Sequence, residues 1–299
     1  MPHARANEFD LYYESHGAPG AEPILLIMGL GAQMTRWSPG FIAELVAAGH
    51  RVIAYDNRDV GLSEKLEAAG APDLAAVFQA VREHRKAPVA YTLDDMAADA
   101  AGLLGALGLE RAHIVGASMG GMIAQLVAAD YPERTLSLTS IMSSSGNPEL
   151  PRARPEAMAR LNTPAPDPNA DLEAFLASAV EGARVMSSRY PPDEALVRAQ
   201  ALADFRRCHY PVGFQRQYAA IMASPDRRPK LAAITAPTVV IHGDDDPLVP
   251  VEAGRDTAAN IAGAELRIVP GVGHEMPRAV QREFIAGILA AAARAKAPA

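Results

Sequence analysis

The sequence has 299 residues, of which 49% are hydrophobic and 21% charged, values typical of a globular enzyme rather than a disordered chain. Its net charge of −7 argues against a nucleic-acid partner, and its single cysteine, Cys208, excludes an intrachain disulfide and a multi-cysteine metal site. Neither an export signal nor an apolar run as long as a membrane helix is visible, so we expect a cytoplasmic protein without a membrane partner.

Predicted strands and helices alternate over the first half of the chain. The strands are predicted at residues 9–13, 24–28 and 51–55, in the run that ends at Val115, and at 136–141. The helices are predicted at residues 41–48, within 73–85, between Tyr91 and Gly108, and at 122–129. Thr92 and Asp95 have the spacing of a capping box at the start of the third of these helices.

The pattern changes between residues 143 and 228, where prolines interrupt helical patches and no strand is indicated. It resumes with a strand at 237–241, a helix at 251–261, a strand at 265–269 and a helix at 278–294, and residues 295–299 are expected to fray. We therefore predict a core domain formed by residues 1–142 and 229–299, with residues 143–228 inserted as a helical cap, or lid.

Alternating strands and helices predict an α/β fold with a mostly parallel central sheet. Ligands of such sheets bind beyond the carboxyl ends of the strands. The loops that follow Met28, Tyr55, Val115, Ile141, Ile241 and Val269 are therefore expected to meet at one rim, and catalytic side chains are sought there.

The segment Gly116-Ala117-Ser118-Met119-Gly120 matches G-x-S-x-G between a predicted strand and a predicted helix, the arrangement of a nucleophile elbow. The serine of such an elbow has a strained backbone, and the residues two before and two after it must lack bulk. The start of the following helix directs N–H groups towards the site where an oxyanion develops. Ser118 is therefore the predicted nucleophile.

A serine nucleophile needs a histidine base, and the base needs an orienting carboxylate. His274 lies in a glycine-flanked loop after a predicted strand, downstream of Ser118. Asp244, Asp245 and Asp246 follow the strand at 237–241, and only one of them can orient His274. The order Ser, Asp, His along the chain is that of the α/β-hydrolases.

These features resemble the α/β-hydrolase family over nearly the full length of the chain. Residues 116–120 look like its elbow, residues 243–250 like its acid loop, and Gly273-His274 like its histidine loop. The family's acid stands three residues after the glycine, so the resemblance implies Asp246 as the acid of the triad. It also implies the family's central sheet flanked by helices, with an inserted lid.

Residues 56–63 are similar to the family's D-x-R-G-x-G-x-S loop, except that Asp59 replaces a glycine. We expect Arg58 to tie the rim loops together and give it no catalytic role. Where the family commonly has His-Gly after its third strand, this chain has Met28-Gly29, which looks most like the aclacinomycin methylesterase branch of the serine esterases.

The resemblance implies that the backbone N–H groups of Leu30 and Met119 form the oxyanion hole, and that the protein is a carboxylic ester hydrolase acting on a small molecule. A lactonase, thioesterase, iminopeptidase, carbon–carbon hydrolase or cofactor-free perhydrolase on the same triad remains open. So does a ligand-binding receptor with vestigial turnover.

No cofactor and no metal are predicted. The loop Gly29-Leu30-Gly31-Ala32-Gln33-Met34 starts like a dinucleotide fingerprint, but Met34 takes the place of its third glycine. Six residues are candidates for binding the substrate, with ordinary packing as the alternative for the apolar ones: Gly29, Met34, Trp37, Met142, Met186 and Tyr210.

Overall fold

A sheet of eight strands runs through the part of the chain that the computed structural model describes, residues 2–295. The strands are β1 (His3–Ala6), β2 (Phe9–His16), β3 (Pro23–Ile27), β4 (Arg51–Tyr55), β5 (Ala112–Ala117), β6 (Thr135–Ile141), β7 (Thr238–Gly243) and β8 (Glu265–Val269). Their order is β1-β2-β4-β3-β5-β6-β7-β8. Strand β2 pairs antiparallel with both β1 and β4, and the six strands β3 to β8 are parallel to one another. The predicted mostly parallel sheet is confirmed. Of the residues expected to fray, Ala295 is helical, and residues 296–299 lie outside the described residues.

From β3 onwards one or two helices separate successive strands, except between β6 and β7, where five helices lie. The helices are α1 (Pro39–Ala47), α2 (Leu74–Arg82), α3 (Leu93–Ala106), α4 (Met119–Asp130), α5 (Pro155–Asn162), α6 (Leu172–Met186), α7 (Glu194–Arg207), α8 (Pro211–Met222), α9 (Arg228–Leu231), α10 (Val251–Ala259) and α11 (Gln281–Ala295). The predicted capping box is present at α3, where Thr92 and Asp95 satisfy each other's backbone N–H groups. None of the described helices is long and apolar enough to cross a membrane.

Both faces of the sheet are covered by helices, which explains why nearly every residue of β3, β5 and β6 is buried. Successive side chains of β3 point to opposite faces. Leu25 and Ile27 pack in the hydrophobic cluster that contains α3 and α4. Ile24 and Leu26 pack in the cluster that contains α1 and α11. The loops at the carboxyl ends of the strands therefore rest on a rigid support.

Helices α5 to α9 lie between β6 and β7, and no residue of 143–228 belongs to a strand. Helix α6 packs against α5 and α7, and α8 packs against α2. The stretch thus adds a layer of helices to the α/β core.

Strand β1 was not predicted from the sequence. Its four residues are too few for an alternating pattern to be read with certainty, although Ala4 and Ala6 are buried and their neighbours exposed. The strand forms because its backbone pairs with β2 in antiparallel register.

Candidate active site

Ser118 lies between β5 and α4 in a strained backbone conformation, with φ 56° and ψ −122°. A Cβ atom on Gly116 would lie 2.0 Å from the carbonyl oxygen of Gly120, and one on Gly120 would lie 2.1 Å from that of Ile27. Neither glycine can therefore carry a side chain while the strand, turn and helix keep this close approach. Ser118 is half-buried and lies at the carboxyl ends of the parallel strands.

Ser118, His274 and Asp246 form a continuous hydrogen-bonded chain. His274 Nδ1 lies 2.8 Å from Asp246 Oδ2, and His274 Nε2 lies 2.9 Å from Ser118 Oγ. A carboxylate only accepts, so Nδ1 carries the proton and Nε2 has a lone pair for the serine hydroxyl. The arrangement can take a proton from Ser118.

The Asp246 carboxylate is held rigidly. The residue is buried, and its Oδ1 accepts the backbone N–H groups of Leu248 at 2.9 Å and Val249 at 2.8 Å. His274 is held on its other side, because its backbone N–H donates to the carbonyl oxygen of Met186 at 2.8 Å. Both members of the pair are therefore oriented before any substrate binds.

The neighbouring aspartates make different contacts. Asp244 accepts the N–H of Gly271 at 2.6 Å, while Asp245 bonds to Ser188 and Arg154, which hold the pKa of its carboxyl below the usual value. Both side chains therefore connect loops, and of the three aspartates only Asp246 bonds to His274.

His242 lies behind Asp246, with 3.6 Å between its Nε2 and Asp246 Oδ2. That nitrogen donates to the carbonyl oxygen of Val249 at 2.8 Å. Burial lowers the pKa of His242 despite the nearby carboxylate. A neutral imidazole here leaves the negative charge of Asp246 available to His274.

The loop that carries Leu30 passes directly over Ser118. A Cβ atom on Gly29 would lie 3.1 Å from Cβ of Ser118. Leu30 is half-buried, and Met119 is the first residue of α4, where a backbone N–H has no partner within the helix. The two predicted oxyanion donors therefore lie on the segments that flank the serine.

A buried glutamine holds this loop. Gln217 of α8 accepts the N–H of Gly31 at 2.8 Å through Oε1 and donates to the carbonyl oxygen of Arg58 at 2.8 Å through Nε2. Asn57 donates to the carbonyl oxygen of Met28 at 2.9 Å, on the other side of Gly29. No local sequence pattern singles out Gln217, because its partners lie far away in the chain.

Arg58 is buried and bonds to the carboxylate of Asp99 in α3 at 2.6 and 2.7 Å, while its guanidinium lies over the rings of Phe9 and Tyr91. Burial raises the pKa of Asp99 even though Arg58 opposes the change. Arg58 thus anchors the 56–63 loop and does not contact Ser118.

A cavity of about 220 Å³ lies between the core loops and helices α6 to α8. Its lining includes Gly31 and Ala32, directly after Leu30, and aromatic side chains of the helical stretch: Phe175, Phe205, His209, Tyr210 and Phe214. Gly31 brings the cavity wall next to the loop over Ser118.

The predicted substrate-binding residues are found in different places. Tyr210 lines the cavity, and Gly29 faces Ser118. Met34, Trp37 and Met142 are buried in the hydrophobic cluster on the α1 and α11 face. Met186 is half-buried and contacts the histidine loop through its carbonyl oxygen.

Comparisons with known proteins agree with this architecture. Residues 22–277 match the family model of the alpha/beta hydrolase fold. The chain is 30% identical to rhodomycin D methylesterase DnrP of Streptomyces peucetius, over 95% of each chain.

Two solved structures are similar over nearly the whole chain. The meta-cleavage product hydrolase CumD of Pseudomonas fluorescens has a TM-score of 0.74 at 18% identity, covering 99% of this chain and 98% of that one. Est816, described as an N-acyl homoserine lactone degrading enzyme, has a TM-score of 0.67 at 27% identity, covering 96% and 99%. The resemblance drawn from the sequence is confirmed: the chain belongs to the alpha/beta hydrolase fold family, with a methylesterase among its relatives.

Proposed function

We propose that this protein is a serine hydrolase that cleaves carboxylic esters of small molecules through an acyl-enzyme. The observation that carries the proposal is the hydrogen-bonded chain from Asp246 through His274 to Ser118, with distances of 2.8 and 2.9 Å. The methylesterase among the relatives supports the choice of an ester substrate.

In the proposed reaction, Ser118 Oγ attacks the acyl carbon while its proton moves to Nε2 of His274. Asp246 stabilises the imidazolium. The N–H groups of Leu30 and Met119 bind the oxyanion, and the loss of one such donor costs a factor of about 10²–10³ in rate. The leaving alcohol takes the proton from Nε2, and water repeats the sequence on the acyl-enzyme.

We further propose that residues 143–228 act as a cap on the core formed by 1–142 and 229–299. Three contacts from this stretch to the loops at the carboxyl edge support the assignment: Gln217 with Gly31, Arg216 with Asp59, and Met186 with His274. The cavity lined by Tyr210 lies under these helices. The cap would then set substrate choice, while the core performs the chemistry.

The test is a substrate panel combined with active-site labelling. We expect steady release of p-nitrophenol from p-nitrophenyl esters, and a loss of about 10⁴-fold or more in kcat for Ser118→Ala. A fluorophosphonate should form one adduct, which peptide mapping assigns to Ser118. Ser15→Ala, a serine variant in β2, serves as the matched control and should be labelled as the wild type is.

The panel also separates the alternatives. A homoserine lactone and an aminoacyl-proline peptide report lactonase and iminopeptidase activity, and faster turnover of either would displace the ester assignment. A single burst of p-nitrophenol without further turnover would indicate a receptor. An adduct on Ser143, Ser144 or Ser145 would show that the nucleophile is wrong.

A further inference from the structure

Three side chains that can bind metal ions lie close together at the amino ends of the central strands, the end opposite Ser118. Glu22 directly precedes β3, His50 directly precedes β4, and His113 is the second residue of β5. Strands β4, β3 and β5 are neighbours and parallel, so their amino ends lie side by side. The sequence predicts no metal site here, because the three residues lie far apart in the chain.

The three side chains are close enough to share one ion. Each offers one ligand atom, and these atoms all lie within 4.8 Å of one another. His113 Nε2 is 3.0 Å from Glu22 Oε2, and the centroids of the His50 and His113 rings are 5.4 Å apart. Metal binding would require only small side-chain movements to reach bond lengths of about 2.0–2.2 Å.

Both histidines have an outer hydrogen bond of the kind that orients metal ligands. His50 Nδ1 donates to the backbone carbonyl oxygen of Glu22 at 3.2 Å, which leaves the lone pair of the ring on Nε2. His113 Nδ1 lies 2.8 Å from Ser137 Oγ. Metal-bound histidines almost always donate their second ring nitrogen to such a partner.

The burial of the cluster also suits a metal ion. His113 is fully buried and His50 nearly so, whereas the Glu22 side chain is 30% exposed. An ion can therefore enter from the side of Glu22, and solvent water can supply a fourth ligand there.

We propose that Glu22, His50 and His113 bind one Zn²⁺ ion that ties together the amino ends of β3, β4 and β5. Two imidazoles and a carboxylate are ligands that Zn²⁺ accepts, and imidazole favours zinc over magnesium or calcium. On binding, Zn²⁺ replaces the proton that His113 Nε2 donates to Glu22, and Nδ1 takes up a proton in its place, so the ring keeps one proton and none is released overall. The Ser137 hydroxyl turns to accept from Nδ1. The site stabilises the fold and takes no part in hydrolysis.

The test is a titration of the full-length protein, freed of metal by a chelator, with ZnCl₂ in a calorimeter. We expect saturable binding of one Zn²⁺ per chain, and a melting temperature that rises with Zn²⁺ concentration. Co²⁺ added in place of Zn²⁺ should give the visible absorption of a four-coordinate site. His50→Gln and His113→Gln should weaken binding by about 100-fold or more, while His84→Asn, at an exposed histidine, should not.

A second variant keeps the test decisive if the ligand variants do not fold. Ser137→Ala retains all three ligands and should weaken Zn²⁺ binding by about 10-fold. Binding in His274→Ala should equal that of the wild type. The proposal is overturned if no binding tighter than about 10⁻⁴ M is found. It is also overturned if zinc affinity depends on His274 and not on His50 and His113.

Discussion

Asp59 and Arg216 form a buried ion pair between the rim of the sheet and helix α8. The Asp59 carboxylate accepts two N–H groups of Arg216, at 2.8 and 2.7 Å, and both side chains are almost completely buried. Asp59 has a φ of 67°, in the left-handed region that favours glycine, and a glycine is what the related motif has at this position. The backbone conformation of Asp59 is therefore unfavourable, but its ion pair with Arg216 anchors α8.

Asp59→Gly should lower the free energy of unfolding by about 2–4 kcal/mol. Loss of one partner leaves Arg216 buried and unpaired, which costs about 3–5 kcal/mol, and relief of the left-handed backbone offsets about 1 kcal/mol. Urea unfolding followed by circular dichroism measures the change. Arg216→Met should cost a similar amount, and the double variant should cost clearly less than the sum of the two.

The same pair gives a pH dependence. Burial alone would raise the pKa of Asp59, but the bonds from Arg216 and from the N–H of Leu66 lower it below its ordinary value. A lowered pKa in the folded state means that the stabilisation is present above about pH 4 and is lost as the pH falls through the folded pKa. The stability difference between wild type and Asp59→Gly should therefore shrink below about pH 4. An unchanged difference at pH 3 would contradict the proposed pairing.

Asp246→Asn should lower kcat by about 10⁴-fold, whereas Asp245→Asn should change it little. An asparagine at position 246 can no longer fix the tautomer of His274 or stabilise its positive charge, and the analogous change in a serine protease has that magnitude. The Asp245 side chain bonds to Ser188 and Arg154 and not to His274 among the hydrogen-bond partners described. Steady-state kinetics on one p-nitrophenyl ester measure both variants. Equal losses would point to general disruption of the loop.

Gly29→Ala should lower kcat by about 10-fold with little effect on stability, part of the factor of about 10²–10³ that loss of an oxyanion donor costs. The added methyl group would lie 3.1 Å from Cβ of Ser118 and 3.2 Å from the carbonyl oxygen of Ala117, so the loop that carries Leu30 must shift. A shift of this kind moves the Leu30 N–H out of line with the oxyanion and weakens its hydrogen bond in the transition state. Gly40→Ala is the matched control, since a Cβ there meets no atom within 4 Å. Wild-type kcat in Gly29→Ala would argue against an oxyanion hole at Leu30.

Elements that depend on residues close together in the chain were predicted correctly from the sequence. The strand and turn around Ser118, the capping box at Thr92 and the strand Arg51–Tyr55 all follow from local pattern and propensity. Contacts between distant segments could not be read in this way. Gln217 under the Gly31 loop and Arg216 beside Asp59 come from a helix whose docking depends on the whole fold.

The residues predicted to bind the substrate also show that contacts between distant segments cannot be predicted from local sequence patterns. Trp37 is large and apolar, and nothing in its neighbours distinguishes a pocket residue from a core residue; it is 2% exposed and packs in the core. Phe205 and Phe175 were not singled out from the sequence, because helical periodicity does not show which face of a helix borders a cavity.

Glu275→Gln should stabilise the protein slightly at pH 8 and not at pH 4. Burial raises the pKa of Glu275, and the hydrogen bond from Ser187 at 2.8 Å opposes that change only in part. A carboxyl with a raised folded pKa contributes most stability below its unfolded pKa and loses that contribution as the pH rises through the folded value. Melting temperatures at the two pH values test this. Lower stability of the variant at pH 8 would mean that the charged carboxylate is favourable beside His274.

Phe205→Ala should shift the preference of the enzyme towards longer acyl chains. The Phe205 ring lines the cavity next to the Gly31 loop and contacts the rings of Phe175 and His209, at centroid distances of 6.0 and 5.6 Å. Removing the ring lengthens the apolar cavity but leaves Ser118 in place. The kcat/KM for a short acyl group should therefore not increase. A few methylene groups in an apolar pocket change kcat/KM by about 10-fold or more.

The measurement is the ratio of kcat/KM for p-nitrophenyl octanoate to that for the acetate. Phe78→Ala is the matched control, because Phe78 lies on α2 with 54% of its surface exposed and does not line the cavity. Tyr210→Ala is less informative, since the Tyr210 hydroxyl accepts a hydrogen bond from Arg216 at 2.9 Å and its loss also disturbs the Asp59 pair. If Phe205→Ala and Phe78→Ala gave the same ratio as the wild type, the cavity between the core loops and helices α6 to α8 would not hold the acyl chain.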